Sequence, residues 1–253
     1  MKVAIAQMRM YWTVVENVRA ILSINEQASS RGADMVLVPE LAVTGFHREI
    51  LRECSALLDD EGVLASIEDS CARNNLCIWL GLPYSAEAKL YNSYLCIGPD
   101  GQRIGVIHKN GLTESEKMVF AAGSSRPLLA VADHKVSAIL CREVADVQLI
   151  ADQFCDETPD LLVWPGYIGN RSFPIGTLPE GTVDQAAKVS DHLKLPIVQC
   201  NWANSLNDPA KDDLGSSVVL NSEGRKLWTC PEALPGVGYV DMDNGECQWV
   251  AET

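Results

Sequence analysis

Three residues with complementary chemistry stand at the ends of predicted strands in this 253-residue sequence. Glu40 follows the apolar run Met35–Val38, Lys109 follows the second strand of a predicted hairpin, and Cys141 closes an apolar run that begins at Val136. In α/β proteins, reactive side chains collect where strands end at one edge of a sheet. A carboxylate, an ammonium group and a thiol could therefore meet in one site.

Acyl transfer by a thiol would use all three side chains. A cysteine with a pKa of ~8.5 is only a few per cent thiolate at neutral pH, so a base or a cation must activate it. Glu40 could accept the thiol proton, while Lys109 and the backbone N–H of Arg142 could stabilise the charge that develops on a carbonyl or nitrile group. Taken singly, each residue has an ordinary explanation as a solvated acid, a surface lysine or a structural cysteine.

The composition argues against several classes of function. A net charge of −14 without a run of Lys and Arg disfavours nucleic acid as a partner. The nine cysteines form no Cys-x-x-Cys pair and the four histidines are dispersed, so we expect reduced thiols, no metal and no other cofactor. The N-terminal apolar run is too short for a signal peptide, and no run approaches the ~20 residues of a membrane span, so we expect a cytoplasmic protein without membrane contact.

Strands and helices alternate along the chain, which predicts a single α/β domain over residues 1–253. The first predicted helix stops at Gly32, and Pro99-Asp100-Gly101 forms the turn of the hairpin. The predicted helices cover 14–31, 63–71, 147–154 and 183–190. Besides the run that leads to Cys141, the predicted strands are Lys2–Met8, Met35–Val38, Leu76–Leu82, Leu90–Ile97, Gln102–His108, Leu161–Trp164, Leu195–Gln199, Gly215–Asn221, Arg225–Thr229 and Val237–Asp241.

Several of these segments, in this order, resemble the nitrilase or carbon–nitrogen hydrolase superfamily. The resemblance runs from Val3 to about Asp241, and it implies a four-layer α-β-β-α sandwich with a catalytic Glu40, Lys109 and Cys141 triad. The segments that carry it are Val38-Pro39-Glu40-Leu41 with Gly45-Phe46, Tyr91-Asn92-Ser93, Gly98-Pro99-Asp100-Gly101, Lys109 with Leu112, and Leu140-Cys141-Arg142-Glu143.

The family also uses a second glutamate between the lysine and the cysteine to position the lysine and the substrate. Its Glu-x-x-x-aromatic-x-x-Gly pattern falls on Glu116, Phe120 and Gly123, which makes Glu116 the match. Glu114 is the competing choice, because the loop after Lys109 is shorter than is usual in the family.

The substrate is less defined by the sequence. Arg142 stands where many relatives have tryptophan or tyrosine, which leaves the branch of the family open. Family members often line the pocket with residues that correspond to Trp164, Pro165 and Tyr167, although an aromatic residue after a strand also suits the core. Arg142 and Arg171 could hold a substrate carboxylate or be ordinary surface arginines.

Two further residues stand at the end of a later strand. Cys200 is a rival nucleophile without an acid–base pair that we can nominate for it. Asn201 resembles the family's structural asparagine.

The function that these residues predict is hydrolysis of a small amide through a thioester on Cys141. A nitrilase or an N-carbamoyl hydrolase would use the same groups, and an inactive ligand-binding homologue or a redox-responsive protein are alternatives of other classes. No synthetase-like or membrane region accompanies the domain, so we expect neither ammonia channelling nor lipoprotein acyl transfer. The resemblance implies a homo-oligomer, a dimer or higher, in which residues 246–253 could dock on a neighbour.

Overall fold

A computed structural model describes residues 1–46, 61–169, 181–206 and 214–252. The described helices are α1 (Val14–Ser30), α2 (Glu61–Asn74), α3 (Val147–Gln153) and α4 (Thr182–Leu193). The strands are β1 (Lys2–Gln7), β2 (Met35–Leu37), β3 (Cys77–Ala86), β4 (Lys89–Ile97), β5 (Arg103–His108), β6 (Leu129–Val131), β7 (His134–Ala138), β8 (Leu161–Gly166), β9 (Ile197–Asn201), β10 (Val218–Leu220), β11 (Lys226–Thr229), β12 (Gly236–Asp241) and β13 (Cys247–Ala251). Short 3-10 helices cover Glu116–Met118 and Cys141–Ala145.

The strands form two mixed sheets. The first sheet has the order β13-β12-β1-β2-β3-β4-β5, and the second has the order β11-β10-β9-β8-β7-β6. Strands β1, β2 and β3 are parallel, as are β7, β8 and β9, and the remaining pairs are antiparallel. The parallel strands at the centre of each sheet have their carboxyl ends at one edge of that sheet, where functional residues can collect.

Alternation of side chains along β1 explains the layers. Val3 and Ile5 point into an apolar core between the two sheets, while Ala4 and Ala6 pack with α1 and α2 on the outer face of the first sheet. A third apolar core lies between the second sheet and helices α3 and α4. The arrangement is the predicted four-layer α-β-β-α sandwich, so the fold class is confirmed.

Local sequence signals explain how the outer elements begin and turn. Thr13 caps α1 by accepting a hydrogen bond from the Glu16 N–H, and α1 buries Val18 and Ile21 on its inner face. The predicted hairpin is also present, and Gly101 adopts a φ of +78° in its turn.

The structure adds a strand at the C-terminus that the sequence did not predict, and docking of residues 246–253 on a neighbour stays a prediction. Cys247–Ala251 pairs with β12 of the same chain as β13, so these residues complete the first sheet rather than extend beyond its last strand. Strand β6 was also not predicted, and the strand expected over Leu195–Gln199 lies at Ile197–Asn201. None of the helices in the described ranges is long and apolar enough to cross a membrane.

Candidate active site

Glu40 lies in a tight turn directly after β2. A contact from β4 helps to fix the turn, because the Tyr94 hydroxyl donates to the Val38 carbonyl at 2.8 Å. Within the turn, the Leu41 backbone has a φ of +53°. Strand β3 passes so close that a Cβ on Gly81 would lie 2.2 Å from the Pro39 carbonyl oxygen. The Glu40 side chain is fully buried as a result.

Lys109 leaves β5 beside the neighbouring strand β4, and its backbone N–H donates to the Asn92 carbonyl at 2.8 Å. Its side chain is 1% exposed. The ammonium group donates to Glu40 Oε1 at 2.7 Å and to Glu116 Oε1 at 2.6 Å. One buried cation therefore bridges two buried carboxylates.

Glu116, rather than Glu114, is the glutamate that reaches this cation. Its second oxygen accepts a hydrogen bond from the Thr113 N–H at 2.8 Å, which fixes the carboxylate at the start of its 3-10 helix. The Glu114 side chain is 90% exposed and pairs with Lys117 instead.

Asn92 completes the cluster and was missed as a functional residue. Its Nδ2 donates to Glu40 Oε1 at 2.9 Å and to Glu116 Oε1 at 3.1 Å. It is fully buried on the side of β4 that faces the second sheet. A polar residue next to apolar positions in a buried strand is a signal that could have identified it.

Cys141 approaches from the second sheet. Strand β7 ends at Ala138, and Cys141 begins a 3-10 helix with a φ of +52°, a conformation that is strained for a residue with a side chain. The Trp164 indole N–H donates to the Cys141 carbonyl at 2.9 Å. Cys141 remains partly exposed, whereas Cys77 in β3, Cys96 in β4 and Cys200 in β9 are buried.

The pKa shifts show that the charges of these groups act on one another. Burial raises the pKa of the Cys141 thiol to about 12, Glu40 adds to that rise, and Lys109 and a hydrogen bond from the Tyr167 backbone oppose it. Burial also raises the pKa of Glu40, although Lys109 opposes the shift. Burial alone would lower the pKa of Lys109, but the Glu40, Cys141 and Glu116 charges outweigh it and raise that pKa.

These directions favour an ammonium ion on Lys109 and a neutral thiol on Cys141 near neutral pH. A nucleophilic role for Cys141 would then require the thiol to lose its proton during attack rather than before it. Glu40 Oε2 has no hydrogen-bond partner among the described residues. A buried carboxylate oxygen of this kind is suited to accept that proton.

The residues expected to bind substrate have different surroundings. Trp164 is fully buried in the core beneath α3 and α4, where its indole supports the Cys141 backbone, and Pro165 is buried beside it in β8. Tyr167 is half-buried, its ring stacks on Phe46 at 4.9 Å, and its hydroxyl bonds Ser205. Of the three, Tyr167 has the most accessible side chain.

A second tryptophan supports the other catalytic candidate in the same way. Trp202 follows β9 of the second sheet, and its indole N–H donates to the Glu40 carbonyl at 2.9 Å. Asn201 is buried and bonds the backbone of Ile168 and Gly215, in agreement with a structural role. Thus the second sheet holds the backbone of both Glu40 and Cys141.

Arg142 and Cys200 make their side-chain contacts outside the cluster. The Arg142 side chain is 42% exposed, with its guanidinium 3.8 Å from Asp146, and the role of its backbone N–H stays a prediction. Arg171 lies outside the described residues. Cys200 is buried, and its thiol donates to the Ala6 and Leu37 carbonyls of the first sheet.

Metal binding has no support in this part of the molecule. Within the described ranges, no group of three or more His, Cys, Asp and Glu side chains is placed to hold an ion. The acidic side chains of the cluster are already bonded to the Lys109 ammonium.

Comparison with known proteins identifies the family of this chain. The carbon-nitrogen hydrolase family model matches residues 2–148, more than half of the chain, and the protein therefore belongs to this family. The glutamine-dependent NAD(+) synthetase of Acinetobacter baylyi is 21% identical over 96% of this chain and 44% of its own length. An arylacetonitrilase of Aspergillus niger is 26% identical over 96% of this chain and 83% of its own length. The chain thus spans less than half the length of the matched synthetase.

Solved structures show the same fold at low identity. An amidase from Nesterenkonia sp. has a TM-score of 0.78 at 17% identity, covering 96% of this chain and 90% of its own. A carbon-nitrogen hydrolase from Helicobacter pylori G27 has a TM-score of 0.78 at 16% identity, covering 94% and 87%. The layered architecture is therefore that of nitrilase-superfamily hydrolases.

Proposed function

We propose that this carbon-nitrogen hydrolase cleaves a small amide, with Cys141 as nucleophile, Glu40 as general base and Lys109 and Glu116 as supporting charges. One observation carries the proposal. The buried Lys109 ammonium is held between Glu40 and Glu116, while one buried oxygen of Glu40 has no hydrogen-bond partner within the described part of the chain. This arrangement combines a proton acceptor with a fixed positive charge beside a thiol.

The first half of the reaction forms a thioester. Glu40 takes the Cys141 proton as the sulfur bonds to the amide carbon, and the carbonyl electrons move to oxygen. Lys109 and the Arg142 N–H stabilise this oxyanion. When the carbonyl re-forms, the C–N bond breaks, and the amine or ammonia leaves with the proton that Glu40 held.

The second half consumes water. Glu40 removes a proton from water as its oxygen attacks the thioester carbon. The tetrahedral intermediate collapses, the C–S bond breaks, and the sulfur recovers the proton from Glu40. The net reaction converts an amide and water into a carboxylic acid and an amine or ammonia.

Nitrile or carbamoyl hydrolysis is a second candidate, because the Cys141 thiol could attack a nitrile carbon or a carbamoyl carbon with the same supporting residues. The arylacetonitrilase and the cyanide hydratases among the relatives favour including nitriles. The name of the NAD(+) synthetases makes glutamine a reasonable amide to include. A mutant of the Nesterenkonia amidase carries acrylamide added at its active-site cysteine, which supports an electrophilic amide as a trapping reagent.

Ammonia release from small amides including glutamine, carbamoyl compounds and nitriles tests the proposal. Activity should disappear in Cys141→Ala and persist in Cys155→Ala, which makes the same change at an exposed cysteine. Preference for an amide over the matching nitrile supports amide hydrolysis. If Cys141→Ala retains full activity, the mechanism is wrong. If ligands raise the melting temperature while wild type forms no product and no acrylamide adduct, a binding protein replaces the enzyme.

The cellular location, oligomeric state and partners of the enzyme are also proposals. We propose a cytoplasmic homo-oligomer, a dimer or higher, that acts on a small molecule and binds neither nucleic acid nor membranes. Light scattering at several protein concentrations tests the oligomeric state, and a monomer throughout would exclude it.

A further inference from the structure

A buried carboxylate outside the catalytic cluster joins the two segments that carry Lys109 and Cys141. Glu143 is 1% exposed and lies in the 3-10 helix that begins at Cys141. Its Oε1 accepts from the Asn110 N–H at 2.6 Å and from the Gly111 N–H at 2.8 Å. Its Oε2 accepts from the Leu140 N–H at 2.6 Å.

The positions of these donors matter more than their number. Asn110 and Gly111 immediately follow Lys109, where the chain leaves the first sheet. Leu140 immediately precedes Cys141, where the chain leaves the second sheet. One carboxylate group therefore bonds the backbone on both sides of the gap between the ammonium and the thiol.

Arg126 anchors this carboxylate to the second sheet. Its guanidinium is buried and donates from Nη1 to Glu143 Oε2 at 2.9 Å and to the Ala138 carbonyl at 2.9 Å. Its Nε donates to Gln153 Oε1 at 2.5 Å. Ala138 is the last residue of β7, so the arginine fixes Glu143 relative to the strand that leads to the nucleophile.

We propose that Glu143, anchored by Arg126, is a positioning residue that sets the Cys141 thiol relative to the Lys109 ammonium. The proposal rests on the function proposed above. It explains how the positive φ of Cys141 is maintained, because the peptide N–H before it is bonded to a buried charge. Because Glu143 would set the distance between the thiol and the ammonium group, a change at Glu143 should alter the reaction rate. A displacement of ~1 Å between reacting groups can lower a rate roughly 10²-fold.

Glu143→Gln tests the proposal with little change of shape. The glutamine amide has one acceptor oxygen, so its NH₂ must face either the Asn110 and Gly111 N–H groups or the Leu140 N–H and Arg126. We expect kcat to fall by roughly 10²-fold with a smaller change in KM. Alkylation of Cys141 by iodoacetamide, followed by peptide mass spectrometry, should slow as well.

Arg126→Met and Arg126→Lys keep the test valid if Glu143→Gln does not fold. Lysine restores a positive charge beside Glu143 and methionine does not, so we expect Arg126→Lys to recover part of the kcat and alkylation rate lost in Arg126→Met. Ser190→Ala is the control, because it removes buried hydrogen bonds to Leu195 and Asn221 outside the site. It should lower the melting temperature without changing either rate.

Two outcomes overturn the positioning role. One is a folded Glu143→Gln protein with wild-type kcat and alkylation rate. The other is that Arg126→Met and Arg126→Lys lower the melting temperature, as Ser190→Ala does, and leave kcat and the alkylation rate at their wild-type values. Alkylation needs no substrate, so a slower rate in Glu143→Gln would support the positioning role even if no amide were hydrolysed. Lack of hydrolysis by wild type would contradict the proposed function alone.

Discussion

Removing the charge of Lys109 tests whether the candidate site is a buried charge cluster. In Lys109→Met, the Glu40 and Glu116 carboxylates lose the ammonium group that lies 2.7 and 2.6 Å from them. Both carboxylates stay buried, and Asn92 remains as a neutral donor to each. Two neighbouring carboxylates without a cation cannot both stay ionised at low cost, so one should take up a proton.

The expected loss of stability follows from the burial of all three groups. Removing one partner of a buried ion pair costs about 3–5 kcal/mol, and proton uptake by one carboxylate should keep the loss at pH 7 near the lower value, about 3 kcal/mol. The carboxyl pKa in the folded variant is then raised above its unfolded value, so the folded state binds more protons. Stability is therefore greatest below the unfolded pKa and falls as pH rises toward the folded pKa, by up to about 1.4 kcal/mol per pH unit.

Urea denaturation of wild type and Lys109→Met at several pH values between weakly acidic and neutral measures both effects. Lys117→Met is a matched control, since Lys117 lies 2.6 Å from Glu114 in an exposed pair and should change stability little at any pH. Adding Glu116→Gln to Lys109→Met should reduce the extra pH dependence without abolishing it, because burial still raises the pKa of Glu40. A Lys109→Met protein whose stability varies with pH as wild type does would refute the reasoning.

Three shorter predictions concern catalysis and support of the site. Asn92→Leu should lower kcat, because it removes the hydrogen bonds that align Glu40 with Glu116, and steady-state kinetics of the identified substrate would show it. The acid limb of kcat/KM should have a midpoint above the ordinary glutamate pKa of ~4.3, because burial raises the Glu40 pKa; a midpoint at or below that value contradicts the assignment. Trp164→Phe leaves the Cys141 carbonyl without its donor and should cost about 1–3 kcal/mol in urea denaturation, whereas an unchanged stability would show that the bond contributes little.

Much of the fold was accessible from the sequence because its signals are local. Helical periodicity located α1, and Pro99-Asp100-Gly101 located the β4–β5 hairpin. The sequence placed Glu40 and Lys109 after strands β2 and β5, which lie in the same sheet with β3 and β4 between them. Strand β13 was missed because Cys247–Ala251 is short and half-exposed, so it has no strong apolar pattern.

The supporting contacts could not be predicted because they depend on residues far apart in the sequence. Glu143 and Arg126 each read as ordinary charged residues until the fold buries them together. Trp164 follows a strand in a manner that suits either a pocket or a core, and only the packing of α3 and α4 places it in the core. Asn92 was part of the quoted family segment, but its two carboxylate partners come from other segments.

Because the site is divided between the two sheets, its geometry depends on core residues that do not contact the substrate. Glu40, Lys109 and Glu116 follow strands of the first sheet, and Cys141 follows a strand of the second, so the thickness of the interlayer core sets the distance between the thiol and the charged groups. Close-packed interiors transmit changes of volume. Enlarging or truncating a side chain in this layer should therefore alter turnover before it unfolds the protein, and substitutions that conserve the summed volume should be tolerated best. The layer includes Val3, Ile5, Met35, Leu37, Cys77, Trp79, Tyr94, Cys96, Val198, Cys200 and Val219.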